Sequence, residues 1–141
     1  MDTAPQISPP KSDELNLEFY KATVTANQVC MQHCKQCGAW THPARYFCPS
    51  CTSAEFSFDK VSGRATVYSY TVSHYSVDPL WKPLLPYVTI VAELEEGPRI
   101  VALARNISPE EVKIGMPLRI TTENRSEEFA LFWADQAKEP K

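Results

Sequence analysis

The stretch HCKQCGAWTHPARYFCPSC, residues 33–51, holds four cysteines in two Cys-x-x-Cys pairs, Cys34/Cys37 and Cys48/Cys51, with ten residues between them. Two such knuckles bring four thiolates around one ion. A closed tetrahedron of soft sulfur ligands is a standard structural shell for zinc. Gly38 gives the first knuckle backbone freedom, and Pro49 stiffens the second. The spacing therefore predicts one structural zinc held by Cys34, Cys37, Cys48 and Cys51. A redox pair needs a single Cys-x-x-Cys at a strand-to-helix junction, and neither knuckle opens an evident helix. Catalytic zinc keeps one position open for water, whereas four cysteines close the shell.

Three nearby residues read as structural. His33 adjoins Cys34, but taking it as a ligand breaks the symmetry of the pairs, so it reads as a solvated strand residue. His42, in the loop between the knuckles, is read with the same caution. Cys30 falls in the alternating segment NQVCMQHC and reads as a small buried thiol in a short strand.

Working outward, residues 1–11 carry Pro5, Pro9 and Pro10 without apolar periodicity and are expected to form a flexible tail. The N-terminus has neither a basic start nor an apolar core, so no secretory signal is expected. No run approaches 18 apolar residues, so no membrane span is expected. A cytoplasmic setting with reduced thiols follows, which weakens a disulfide reading of the cysteines. Residues 12–27 read as a helix, with Ser12 or Asp13 as its cap. Leu15, Phe19 and Ala22 form one apolar stripe, and Leu17, Tyr20 and Val24 form a second. Either both stripes pack on this chain, or one belongs to another protein.

The ribbon spans residues 28–60 and ends in the alternating EFSFDKV. A unit of this size buries too little to fold without its ion. Residues 61–134 then carry five strand patterns. GRATVYSYTVSHYSV comes first, and the hairpin YVTIVAELEE/RIVALAR occupies 87–105. SPEEVKIGMP interrupts the series with a short helix or turn. Ser108, Pro109 and Glu111 supply a capping box, and LRITTE and FALFWAD follow. Three strands, a helical break and two strands is the order of an OB-fold barrel. Residues 135–141 read as a C-terminal tail. The fold class is thus mainly β: an N-terminal helix, a rubredoxin-like zinc ribbon and a five-stranded OB-fold barrel. The loop 77–86, VDPLWKPLLP, puts Trp81 and three leucines among three prolines. Either Trp81 plugs one end of the barrel, or the loop touches a ligand or partner.

Charge argues against nucleic acid. Residues 61–134 carry seven Lys/Arg against nine Asp/Glu, and the whole chain stands at −3. The phosphate attraction that supplies most nucleic-acid affinity is missing. His74 lies near Ser73, Ser76 and Asp78, but neighbours on one strand alternate faces and do not assemble a triad. His74 reads as a solvated surface residue, and no catalytic residue is assigned.

LEFYKA, CKQCGAW…YFCPSC, VSGRATVYSYTV, PYVTIVAELEEG and EEVKIGMPLRI together resemble the family of zinc-ribbon/OB-fold proteins once called domain of unknown function 35. The resemblance covers about residues 15–134. It implies a non-catalytic accessory subunit of a thiolase-superfamily enzyme acting on an acyl-CoA, for instance in degradation of an aromatic or other CoA-linked acid. Subunits of acyl-CoA side-chain aldolases and of C–C bond-forming acyltransferases are alternatives. It further implies a thiolase-like partner in a 2:2 heterotetramer or larger, with a CoA thioester as the ligand of the complex. Leu15, Phe19, Tyr20, Tyr75, Trp81 and Leu84 are the candidates for the partner surface or acyl-CoA entrance. Family members often carry glycine where the first helix ends. Here TVTAN offers Asn27 as the left-handed residue.

Overall fold

The computed structural model describes Lys11 and residues 13–137. The tail expected over 1–11 lies outside the described residues apart from Lys11, and so does Ser12. Helix α1 (Glu14–Ala26) is capped by Asp13, whose carboxylate accepts the Asn16 N–H at 2.8 Å. Its C-terminal end is a Schellman turn. Asn27 sits at φ 54°, its N–H donates to Val24 O, and the Gln28 N–H donates to Thr23 O. Asparagine thus does the work that glycine usually does there.

The ribbon is a three-stranded antiparallel sheet ordered β2-β1-β3, with β1 Cys30–Cys34, β2 Trp40–Thr41 and β3 Phe56–Lys60. Buried Gln32 ties the inter-knuckle loop to β1. Its amide donates to Arg45 O at 2.6 Å and accepts the Arg45 N–H at 2.8 Å.

Five strands close into the barrel: β4 Arg64–Ser73, β5 Tyr87–Leu94, β6 Arg99–Ala104, β7 Pro117–Ser126 and β8 Phe129–Gln136. Their order is β4-β5-β6-β8-β7, with β7 returning to β4 and β6 running parallel to β8. Alternation fills the interior: Val88, Ile90, Ala92 and Leu94 of β5 are all buried. The same core takes in Val29 and Met31 of the ribbon and Phe19 of α1, so helix, ribbon and barrel share one apolar cluster.

The break at 105–116, read as a short helix or turn, consists of turns at 109–111 and 114–115 and holds no helix. The Ser108 N–H donates to the Glu111 carboxylate at 2.8 Å, while Ile107 and Val112 bury themselves beside the barrel strands. β8 runs two residues into the stretch read as a tail, because Asp135 and Gln136 pair with Arg119 and Leu118. Trp81 does not plug the barrel. It precedes a short 3-10 turn (Lys82–Leu84) and packs on Tyr87, with ring centroids 4.9 Å apart.

Candidate metal centre and exposed apolar loop

The four cysteine sulfurs lie within 4.8 Å of one another. Cys34 Sγ is 3.6 Å from Cys51 Sγ, and Cys37 Sγ is 3.6 Å from Cys48 Sγ. A tetrahedral zinc with Zn–S bonds of about 2.3 Å requires sulfur–sulfur edges of about 3.8 Å. The donor set fits such an ion. The Cys37 N–H points at Cys34 Sγ and the Ser50 N–H at Cys48 Sγ, each at 3.4 Å, as anionic sulfur demands.

Four sulfurs this close cannot all be anionic without a cation. The Cys37 N–H leads in drawing the Cys34 thiol down to about 6, and the Cys51 N–H leads in lowering Cys48. At Cys37 and Cys51 the backbone N–H groups of Ala39 and Ser53 pull downward. Burial and the neighbouring sulfurs outweigh them, raising Cys37 and pushing Cys51 up to about 12. A bound cation removes that conflict.

His33 turns away from this centre. Its Nδ1 lies 2.8 Å from Asp59 Oδ2, and its ring stacks on Trp40 at 3.8 Å with planes 4° apart. It is therefore a paired cross-strand residue and not simply solvated. The His33 contact leads in holding the Asp59 carboxyl below its ordinary range, with Ser57 adding to it. His42 packs its ring 5.0 Å from Phe19, and burial drives its pKa down to about 4. Cys30 directs its thiol at Ala22 O, 3.7 Å away, and burial raises its pKa. His74 is exposed, and the Ser76 hydroxyl is engaged with Asp78 backbone atoms.

The residues expected at a partner surface divide into two groups. Leu15 and Phe19 are only 6% and 3% exposed and are packed inside this chain. They cannot offer contacts without unpacking the helix. Tyr20 is half-buried against Phe129 and Phe132. The loop after β4 is different. Tyr75 is 78% exposed there, while Trp81 and Leu84 are half-buried. The sequence reading marked this loop as a candidate contact but did not single out Val77 and Leu80, which are exposed in it, and it missed Tyr46 and Phe47, which are exposed beside Cys48. A signal was available in both places: apolar side chains clustered among prolines or next to a metal knuckle, with no periodicity to bury them. β4 leaves the ribbon junction at Arg64, and ten strand residues carry the chain about 30 Å before this loop begins.

A zinc ribbon joined through a short linker to an OB-fold barrel defines the class. Family models match both parts: the ChsH2 rubredoxin-like zinc ribbon domain over residues 28–57 and the ChsH2 C-terminal OB-fold domain over residues 59–123. The chain belongs to this zinc-ribbon/OB-fold family, known as domain of unknown function 35. It is 33% identical over 100 residues to a probable enoyl-CoA hydratase alpha subunit of Thermomonospora curvata, covering 71% of this chain and 31% of that protein. It is 43% identical over 84 residues to a DUF35 domain-containing scaffold protein of Methanocaldococcus jannaschii, covering 59% of each. Among solved structures it resembles a chain of the Ltp2-ChsH2(DUF35) aldolase with a TM-score of 0.80 and 29% identity, covering 92% of this chain and 100% of that one. The chain spans between about a third and three-fifths of the length of these curated relatives.

Proposed function

We propose that this chain is a non-catalytic subunit of an acyl-CoA enzyme, carrying one structural zinc on its four cysteines and assembling with a thiolase-like catalytic subunit. The observation that carries the reading is its likeness, over the whole of the matched chain, to the DUF35 component of an aldolase complex. The exposed Tyr75, Val77 and Leu80 support it, since solvent-facing apolar groups on one loop are what a partner would cover. Trp81 and Leu84 border the same patch and Tyr20 lies on the helix side, so these three remain candidate contacts near the acyl-CoA entrance. A 2:2 assembly follows from a dimeric partner. The reaction falls to the partner, with its own nucleophile and acid–base groups, and the CoA thioester is the ligand of the complex. The retro-aldol version of this reading is favoured over thiolysis by that same structural relative.

The test is affinity purification of the tagged chain from its source cells, with identification of the co-eluting subunit and an acyl-CoA assay. A Tyr75→Glu/Val77→Glu variant should keep its thermal stability and lose assembly at least tenfold. Normal assembly by this variant removes the loop from the interface. Co-elution with nucleic acid and no enzyme subunit removes the proposal.

A further inference from the structure

The four sulfurs of the metal centre differ in access. Cys34 and Cys48 are 5% and 9% exposed and Cys51 is half-buried, whereas Cys37 faces solvent. It lies in the run 35–38, every residue of which is exposed. A Cβ on the adjoining Gly38 would meet nothing within 4 Å, so the approach past this neighbour is open. The sulfurs also form two close pairs that cross between the knuckles. Cys37 Sγ is 3.6 Å from Cys48 Sγ, and Cys34 Sγ is 3.6 Å from Cys51 Sγ. One exposed thiolate with a covered sulfur in contact with it is the arrangement of an oxidant-sensing pair: the first is oxidised and the second resolves it.

The rest of the fold would register the loss of the ion. Val29 and Met31 of the ribbon belong to the cluster that fills the barrel. The linker between the two parts is tied on both sides. The Val61 N–H donates to Val29 O at 3.0 Å, and the Gln28 amide donates to Val61 O at 2.7 Å. The Ser62 N–H donates to the Glu96 carboxylate at 2.9 Å, and the Ile120 N–H donates to Gly63 O at 2.8 Å. Order in the ribbon and order at the near end of the barrel are therefore coupled.

We propose that the two knuckles form a peroxide-sensitive switch entered at Cys37. The Cys37 thiolate attacks one oxygen of hydrogen peroxide. The O–O bond breaks, hydroxide leaves and a sulfenic acid forms. The Cys48 thiolate then attacks that sulfur, the S–O bond breaks, a second hydroxide leaves and a Cys37–Cys48 disulfide forms. The two sulfurs supply the two electrons that reduce the peroxide. Cys34 and Cys51 remain, two ligands where a closed shell needs four, so the ion is released. A dithiol reductant returns the disulfide to two thiols, and zinc then rebinds. The switch rests on the structural-zinc reading above and not on the identity of any partner.

The test uses the full-length zinc-loaded chain, its metal content measured first. A chain that takes up no zinc overturns the metal reading itself. Hydrogen peroxide added with a chromogenic zinc chelator should release zinc at least tenfold faster than the chelator alone. Dimedone added with the peroxide should trap the sulfenic acid at Cys37, and mass spectrometry without the trap should find Cys37 joined to Cys48. Cys30→Ser should leave the release rate unchanged. Amide exchange should rise at Val29 and Met31 and at Ile120 of the barrel, and a dithiol reductant with zinc should restore the original pattern. Zinc retained under peroxide, dimedone spread evenly over the four cysteines, or a Cys34–Cys37 link in place of Cys37–Cys48 overturns the switch and leaves the structural zinc standing. An unchanged Ile120 amide after zinc release overturns its transmission to the barrel.

Discussion

Gly38 and Thr52 occupy equivalent places after the two cysteine pairs. Both backbones are left-handed, at φ 79° and 66°, and each N–H donates to the carbonyl of the first cysteine of its knuckle, Cys34 at 3.1 Å and Cys48 at 2.8 Å. The same turn is built once with the residue that suits it and once with a β-branched residue that does not. Thr52→Gly should stabilise the zinc-loaded chain by about 1 kcal/mol. Gly38→Ala should destabilise it by about the same amount, because a Cβ there meets nothing within 4 Å and only backbone strain changes. Denaturant titration of both variants checks this, and an unstable Thr52→Gly would show that the threonine side chain holds the second knuckle.

Gly63 answers to a different constraint. It sits at φ 83°, and a Cβ there would lie 2.9 Å from Ile120 O, in the strand whose Ile120 N–H donates to Gly63 O. Gly63→Ala should therefore cost about 2 kcal/mol or more, well above Gly38→Ala, because strain and backbone overlap add. Amide exchange should locate the damage at the β4–β7 seam.

The two knuckles and the alternating strands were legible because each is a local pattern. Cys34 to Cys51 needs only spacing, and β5 needs only a period of two. Asn27 was legible for the same reason. The direction of the first helix was not. Its two stripes are chemically alike, and only the packing of Phe19 onto Phe58 and Phe132, far along the chain, decides which one turns inward. His33 was misjudged because its partners, Trp40 and Asp59, come from strands whose register the sequence does not fix. The short parallel pairing of β6 with β8 was not legible, since nothing local in either strand fixes that register.

His42 gives a pH signature. Burial lowers its folded pKa from 6.5 to about 4, so between these values the unfolded chain binds more protons. The stabilisation is fully present above about pH 6.5 and is lost as pH falls through about 4. The whole effect is on the order of 3 kcal/mol. His42→Phe should flatten the pH dependence in this window, whatever it does to stability at pH 7. Acid loss of the metal affects both proteins alike, so the difference between their curves isolates the histidine. Parallel curves would show that the imidazole titrates normally.

Removal of the metal should separate the cysteines. Chelation, or Cys34→Ser, should unfold the ribbon and loosen the shared core at Val29 and Met31, because ion binding is folding energy in a unit this small. Cys30→Ser should cost only about 1 kcal/mol and keep one zinc per chain, as its thiol lies outside the metal cluster and serine can keep the hydrogen bond to Ala22 O. Metal content by mass spectrometry and melting temperature check both. A folded metal-free chain would contradict the structural role.

The most direct measurement of the central claim is acyl-CoA turnover by three preparations: this chain alone, its co-purified partner alone and the reconstituted complex. The account predicts no turnover by this chain, weak or no turnover by the partner, and full activity of the complex that survives Cys30→Ser here but is abolished by blocking the partner's nucleophile. Turnover by the isolated chain, or full activity of the partner without it, would contradict the account.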